Sequence, residues 1–146
     1  QLKLSIGEIT NMLNKQSGLL ALSKCSYDMR QLEKKYNDGD RDAILAINVF
    51  CYKIAQHIAA YMVPLQTCDA LVFTGGIGEN SPFIRDIVIS HLNFLNLKLC
   101  HKSNNDQANI NNLISQETSK MNIFTIKANE ELMIMKSTYE IISRGD

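Results

Sequence analysis

The chain has 146 residues, 45% hydrophobic and 21% charged, which suits one globular domain with a buried core. Fifteen basic residues offset fifteen acidic ones, so bulk charge draws the chain neither to nucleic acid nor to an anionic membrane surface. No apolar run approaches the roughly 20 residues of a membrane span, and the opening QLKLSIGEIT lacks a signal-peptide layout while its first Gln allows for a fragment or processed product.

Residues 5–14 read as a short helix: Ser5 caps it with Glu8 three positions on, and Ile6, Ile9, Met12 and Leu13 form one face. Gly18, within KQSGLLALSKCS, is the expected helix stop. YDMRQLEKKYNDGD reads as a short polar helix closed by Asn37–Gly39. From Asp40, apolar residues (Ile44, Ile47, Phe50, Cys51, Ile54, Ile58, Met62) recur at three- and four-residue steps up to Pro64, the pattern of a well-buried amphipathic helix. His57 beside that stripe reads as a surface or part-buried histidine rather than a metal ligand.

DALVFTGG is expected to be a buried strand and SPFIRDIVISHLNFL a helix. LKLC reads as a short strand, the asparagine-rich HKSNNDQANINN as a surface loop, and MNIFTIK as an alternating strand. NEELMIMKSTYEIIS closes the chain as a helix from Asn129. This alternation predicts an α/β fold with a largely parallel sheet and no internal domain boundary across 1–146. Three strands are few for a whole α/β fold, so the chain reads as part of something larger. The cysteines (Cys25, Cys51, Cys68, Cys100) form no CxxC pair and are expected to be buried, reduced thiols in a reducing compartment.

Three places carry chemistry. In DALVFTGGIGENSPFIRD a strand delivers the chain to Thr74, and Gly75, Gly76 and Gly78 permit a sharp turn. Ser81 is placed to cap the next helix and Pro82 to begin it, with unpaired N–H groups facing the turn. The stretch is neither a P-loop, lacking its lysine, nor a dinucleotide fingerprint, since Ser81 stands where glycine is required. A nucleotide or anion site and a simple tight turn both remain open on these residues. Asp28 and Arg30 in SYDMRQL read either as helix-end charges or as a short polar stretch reaching a ligand. Glu130 and Glu131 behind Asn129 read either as ordinary first-turn acids or as a carboxylate able to hold Mg²⁺.

SYDMRQLE, FTGGIGENSPFIR and NEELMI, in this order, resemble the C-terminal portion of the acetokinase family within the actin-like ATPase superfamily; the resemblance runs from Leu4 to Ile142. It implies an α/β fold forming part of a C-terminal actin-like ATPase (ribonuclease H-like) domain, a mostly parallel sheet flanked by helices. It also implies reversible, Mg²⁺-dependent phosphoryl transfer from ATP to acetate, giving ADP and acetyl phosphate, by a cytoplasmic homodimer. Propionate is the alternative acceptor, and a non-catalytic dimerisation module the alternative role.

By that resemblance Gly76, Ile77, Gly78, Glu79 and Asn80 lie beside the nucleotide, and Asp28, Met29 and Arg30 form a second nucleotide-contacting stretch. Glu130 corresponds to a Mg²⁺-associated glutamate, and Arg85 supports the site. Lys127–Ala128 replaces the family's usual proline–threonine pair, and Tyr27 replaces a small polar residue. The family's catalytic and acetate-handling residues belong to an N-terminal domain, so no catalytic residue is expected in this chain and the chain alone is expected to be inert.

Overall fold

The computed structural model describes residues 4–106 and 112–143. Helix α1 (Ile6–Lys15) opens with the expected capping box: the Ser5 hydroxyl accepts from the Glu8 amide while Glu8 reaches back to Ser5. Its apolar residues find no core, for Ile6 and Leu13 are largely exposed. Gly18 is not a helix stop. It carries φ +63° and begins a second helix, α2 (Gly18–Ser23), because α1 has already ended at Lys15.

Helix α3 (Met29–Asn37) is capped by the Asp28 carboxylate, and Gly39 at φ +82° turns the chain into α4 (Arg41–Leu65). Asp40 caps α4 by accepting from the Asp42 and Ala43 amides at 3.0 and 2.9 Å. Ala43, Ala46, Ile47, Cys51 and Ala55 give α4 its buried stripe. Of the expected stripe, Phe50, Ile54, Ile58 and Met62 pack half-buried against the core, while Tyr61, Val63 and Leu65 beside it are exposed. By length and composition α4 is also apolar enough to cross a membrane. Lys53, Gln56 and His57 interrupt the apolar run in sequence, which is why run length alone missed this.

Strand β1 (Ala70–Phe73) pairs in parallel with β2 (Asn122–Thr125), Ala70 opposite Asn122 and Phe73 opposite Thr125. The expected α/β arrangement of a small parallel sheet flanked by helices is present, with two strands rather than three among the described residues. LKLC contributes only an isolated antiparallel bridge, Leu99 to Ser115. The segment after residue 111 covers the outer side of β2, Ile114 donating to the Ile123 carbonyl at 2.8 Å. No described strand pairs with the other edge of β1, and Val72 is 44% exposed on one face, so β1 is a half-covered strand and not a buried one.

Between the strands lie three short helices, α5 (Gly75–Asn80), α6 (Pro82–Ser90) and α7 (His101–Asn105). Helix α6 starts at Ser81–Pro82 as expected and ends at Ser90, with a 3₁₀ turn at Asn93–Leu95. The asparagine tract expected to be a surface loop holds α7 and a buried Asn104; its positions 107–111 lie outside the described residues. Helix α8 (Glu130–Ser143) closes the chain with no buried residue. Leu32, Ile47, Cys51, Val88, Leu92, Ile114 and Ile123 are fully buried within one core cluster.

The expectation of buried thiols holds for Cys51 alone; Cys25 is exposed, and Cys68 and Cys100 are half-buried. Burial pushes the Cys51 thiol up to about 12, with the Glu33 charge adding to the shift.

Candidate functional site

The glycine stretch is not an open turn. After Thr74, Gly75 takes φ +72° and residues 75–80 wind into α5. Three glycines in six positions make a poor helix by propensity, so α5 depends on side-chain ties, one from its own Glu79 and one from α6. Glu79 supplies one tie: its Oε1 accepts from the Gly75 amide at 2.8 Å and from the Ala128 amide at 2.7 Å. It thereby fastens the start of α5 to the segment leading into α8.

Arg85 supplies the other tie. Arg85 is 3% exposed, and its guanidinium donates to the Gly78 and Glu79 carbonyls at 2.7 and 2.9 Å, which lack partners within α5 at its C-terminal end. It also donates to the Asn104 side chain and carbonyl, both at 2.7 Å, and burial lowers its pKa. Asn104 in turn donates to the Pro82 carbonyl at 3.0 Å.

One face of α5 looks towards α3 across a cleft of about 530 Å³, within the range of small-ligand sites. Asp28, Met29 and Arg30 line one wall, and Gly76, Ile77 and Asn80 line the other. Gly76 presents bare backbone: a Cβ built there meets nothing within 4 Å. Asp28 and Arg30 are joined to each other, Nη2 to Oδ2 at 2.8 Å and Nε to Oδ1 at 3.1 Å. The Arg30 guanidinium, then its amide, hold the Asp28 carboxyl below its ordinary value. Met29 is 6% exposed and shares its side chain between cleft and core.

Not every sequence-predicted residue meets at this cleft. Gly78 packs against Phe73, with a built Cβ 3.4 Å from its carbonyl carbon. Glu79 and Arg85 border a smaller, polar cavity of about 220 Å³ on the far side of α5. Glu130, the first residue of α8, is exposed and borders neither cavity. Among the described residues no group of three or more His, Cys, Asp or Glu side chains could hold a metal ion. Glu130 fits Mg²⁺ as a single hard-oxygen ligand, the rest of the shell coming from substrate and water.

Sequence reading missed Glu33, Ser81 as a cleft residue, and Asn104. Glu33 lies four positions after Met29, hence on the same helical face, which is the signal that could have found it. Asn104 had no such signal, because its partner Arg85 sits 19 residues away.

The sequence pattern of the acetokinase family matches residues 1–136. The chain belongs to the acetokinase family. It is 45% identical over 142 residues to the acetate kinase of Dichelobacter nodosus, covering 97% of this chain and 36% of that protein. With the acetate kinase of Pseudothermotoga lettingae it shares 40% over 144 residues, 99% of this chain and 35% of the relative.

Among solved structures, a Francisella tularensis propionate kinase superposes with a TM-score of 0.84 at 46% identity, over 92% of this chain and 34% of that one. An Entamoeba histolytica acetate kinase superposes with a TM-score of 0.86 at 27% identity, over 94% and 37%. The chain thus spans about a third of the length of the curated acetokinase relatives it matches.

Proposed function

We propose that this chain builds the nucleoside-side wall of a short-chain acyl kinase, in which an acetate oxygen attacks the terminal phosphorus of ATP and the bond to ADP breaks, giving acetyl phosphate reversibly. The observation that supports it most is the cleft, which joins the Asp28–Arg30 and Gly76–Asn80 stretches across α3 and α5. With Asp28 and Arg30 neutralising each other and Glu33 adding a negative charge, this wall suits a base and ribose better than a triphosphate. Gly76 allows the ligand to lie against main chain, and Ile77 offers an apolar surface for a base. Glu130 would hold Mg²⁺, which neutralises phosphate charge when bound.

Relatives bear both acetate kinase and propionate kinase names, so the acceptor is read as a short carboxylate, acetate first. Exposed apolar side chains on α1 and the end of α4 support function as a homodimer. The chain by itself is read as binding nucleotide without turnover.

Titration calorimetry with ADP tests the reading. Saturable binding is expected, weakened tenfold or more by Gly76→Val, with little change in melting temperature because a Cβ at this position meets nothing within 4 Å. Equal affinity in Gly76→Val, or no binding by wild type, would sink it.

A further inference from the structure

We propose that Glu33 is a positioning residue that fixes the width of the α3–α5 cleft by latching α3 to the start of α6. The proposal rests on the nucleotide reading of that cleft. The Ser81 hydroxyl donates to Glu33 Oε1 at 2.6 Å, a charge-assisted bond between residues 48 positions apart. The same oxygen of Ser81 accepts from the Ile84 amide at 3.0 Å, so the residue that begins α6 is also the residue α3 holds. Ser81 is 7% exposed and directly follows Asn80, the last residue of α5. Any displacement of Ser81 from Glu33 therefore carries the Gly76–Asn80 wall with it.

The latch sits at the cleft end of a longer seam. On the neighbouring turn of α3, Tyr36 meets Phe83 of α6 edge to face, ring centroids 4.9 Å apart and planes at 71°. Leu32, with no exposed surface, anchors the same helix in the core. These apolar contacts hold α3 against α6 whether or not residue 33 accepts a hydrogen bond. What Glu33 adds is local: it sets where the cleft-facing ends of the two elements stop. Loss of the latch is expected to relax the site without unfolding the domain.

The test compares ADP affinity and melting temperature of the whole protein with Glu33→Ala, Glu33→Gln, Ser81→Ala and the Glu33→Ala/Ser81→Ala pair. A glutamine keeps an oxygen acceptor for Ser81 and removes the charge. Glu33→Ala is expected to weaken ADP binding about tenfold, Glu33→Gln to stay within about threefold of wild type, and the pair to be clearly less than multiplicative. Wild-type binding with unchanged affinity in Glu33→Ala overturns this inference alone. Glutamine as weak as alanine also overturns it, because the charge would then act on the ligand directly. A wild-type protein that does not bind ADP overturns both the inference and the reading of the cleft beneath it.

Discussion

Helices α5 and α8 make an instructive pair. The first is six residues long and half glycine, yet both of its ends are tied by buried or part-buried polar bonds from Arg85 and Glu79. The second is fourteen residues long, rich in Met, Ile and Leu, and buries nothing. Propensity ranks them in the reverse order of their attachment. In this chain, position is set by long-range polar contacts around the cleft and not by the strength of a helical pattern. The cleft side is self-supporting; the α8 side leaves Met133, Ile134, Met135, Ile141 and Ile142 exposed among the described residues, and it carries Glu130.

That contrast can be broken in three places, beginning with the largest effect. Arg85→Ala strips partners from two carbonyls of α5 and from a buried asparagine, and should cost about 3 kcal/mol or more. At this chain length that is a melting-temperature drop of roughly 10 °C, read by calorimetry or circular dichroism. A drop of a degree or two would mean that α5 is held by something other than Arg85.

Acid titration comes next. Because the folded state depresses the Asp28 pKa, its stabilising contribution is present above the unfolded carboxylate value and disappears as pH falls through the depressed one. Asp28→Asn keeps a capping side chain but loses this titration, so the acid limb of its stability curve should be slightly flatter than that of wild type. Superimposable curves would show that the exposed Asp28–Arg30 pair is energetically silent.

The smallest effect belongs to α8. Ile134 is 67% exposed, so Ile134→Ser should shift stability by no more than about 0.5 kcal/mol. A loss of several degrees in melting temperature would show that α8 docks after all, and the contrast with α5 would fall.

The sequence was readable where the determinants are local. The Ser5–Glu8 box, the Ser81 cap and the Gly39 turn are each decided within four residues, and all are in place. It was misleading where a distant partner decides. Glycines announced a turn at 75–78, but those residues wind into a helix whose last carbonyls Arg85 satisfies from α6 and whose Glu79 is fastened to Ala128, 49 positions away. Asparagines announced a loop at 101–112, but Arg85 draws Asn104 inside. The α1 and α4 stripes announced burial that this chain does not fully provide. Of the residues singled out in sequence, Asp28, Met29, Arg30, Gly76, Ile77 and Asn80 meet at the cleft, whereas the bond across it from Ser81 to Glu33 needed the fold.

The uncovered side of β1 has a practical consequence. Along Ala70–Phe73 the main chain offers a row of donors and acceptors with no described strand beside it, next to a half-exposed Val72. Such a row is a template on which another extended segment can add by backbone recognition. Its four-residue length keeps any one such addition weak. In concentrated solution, edge-on growth through this strand, more than loss of the core, would set how long the chain stays dispersed.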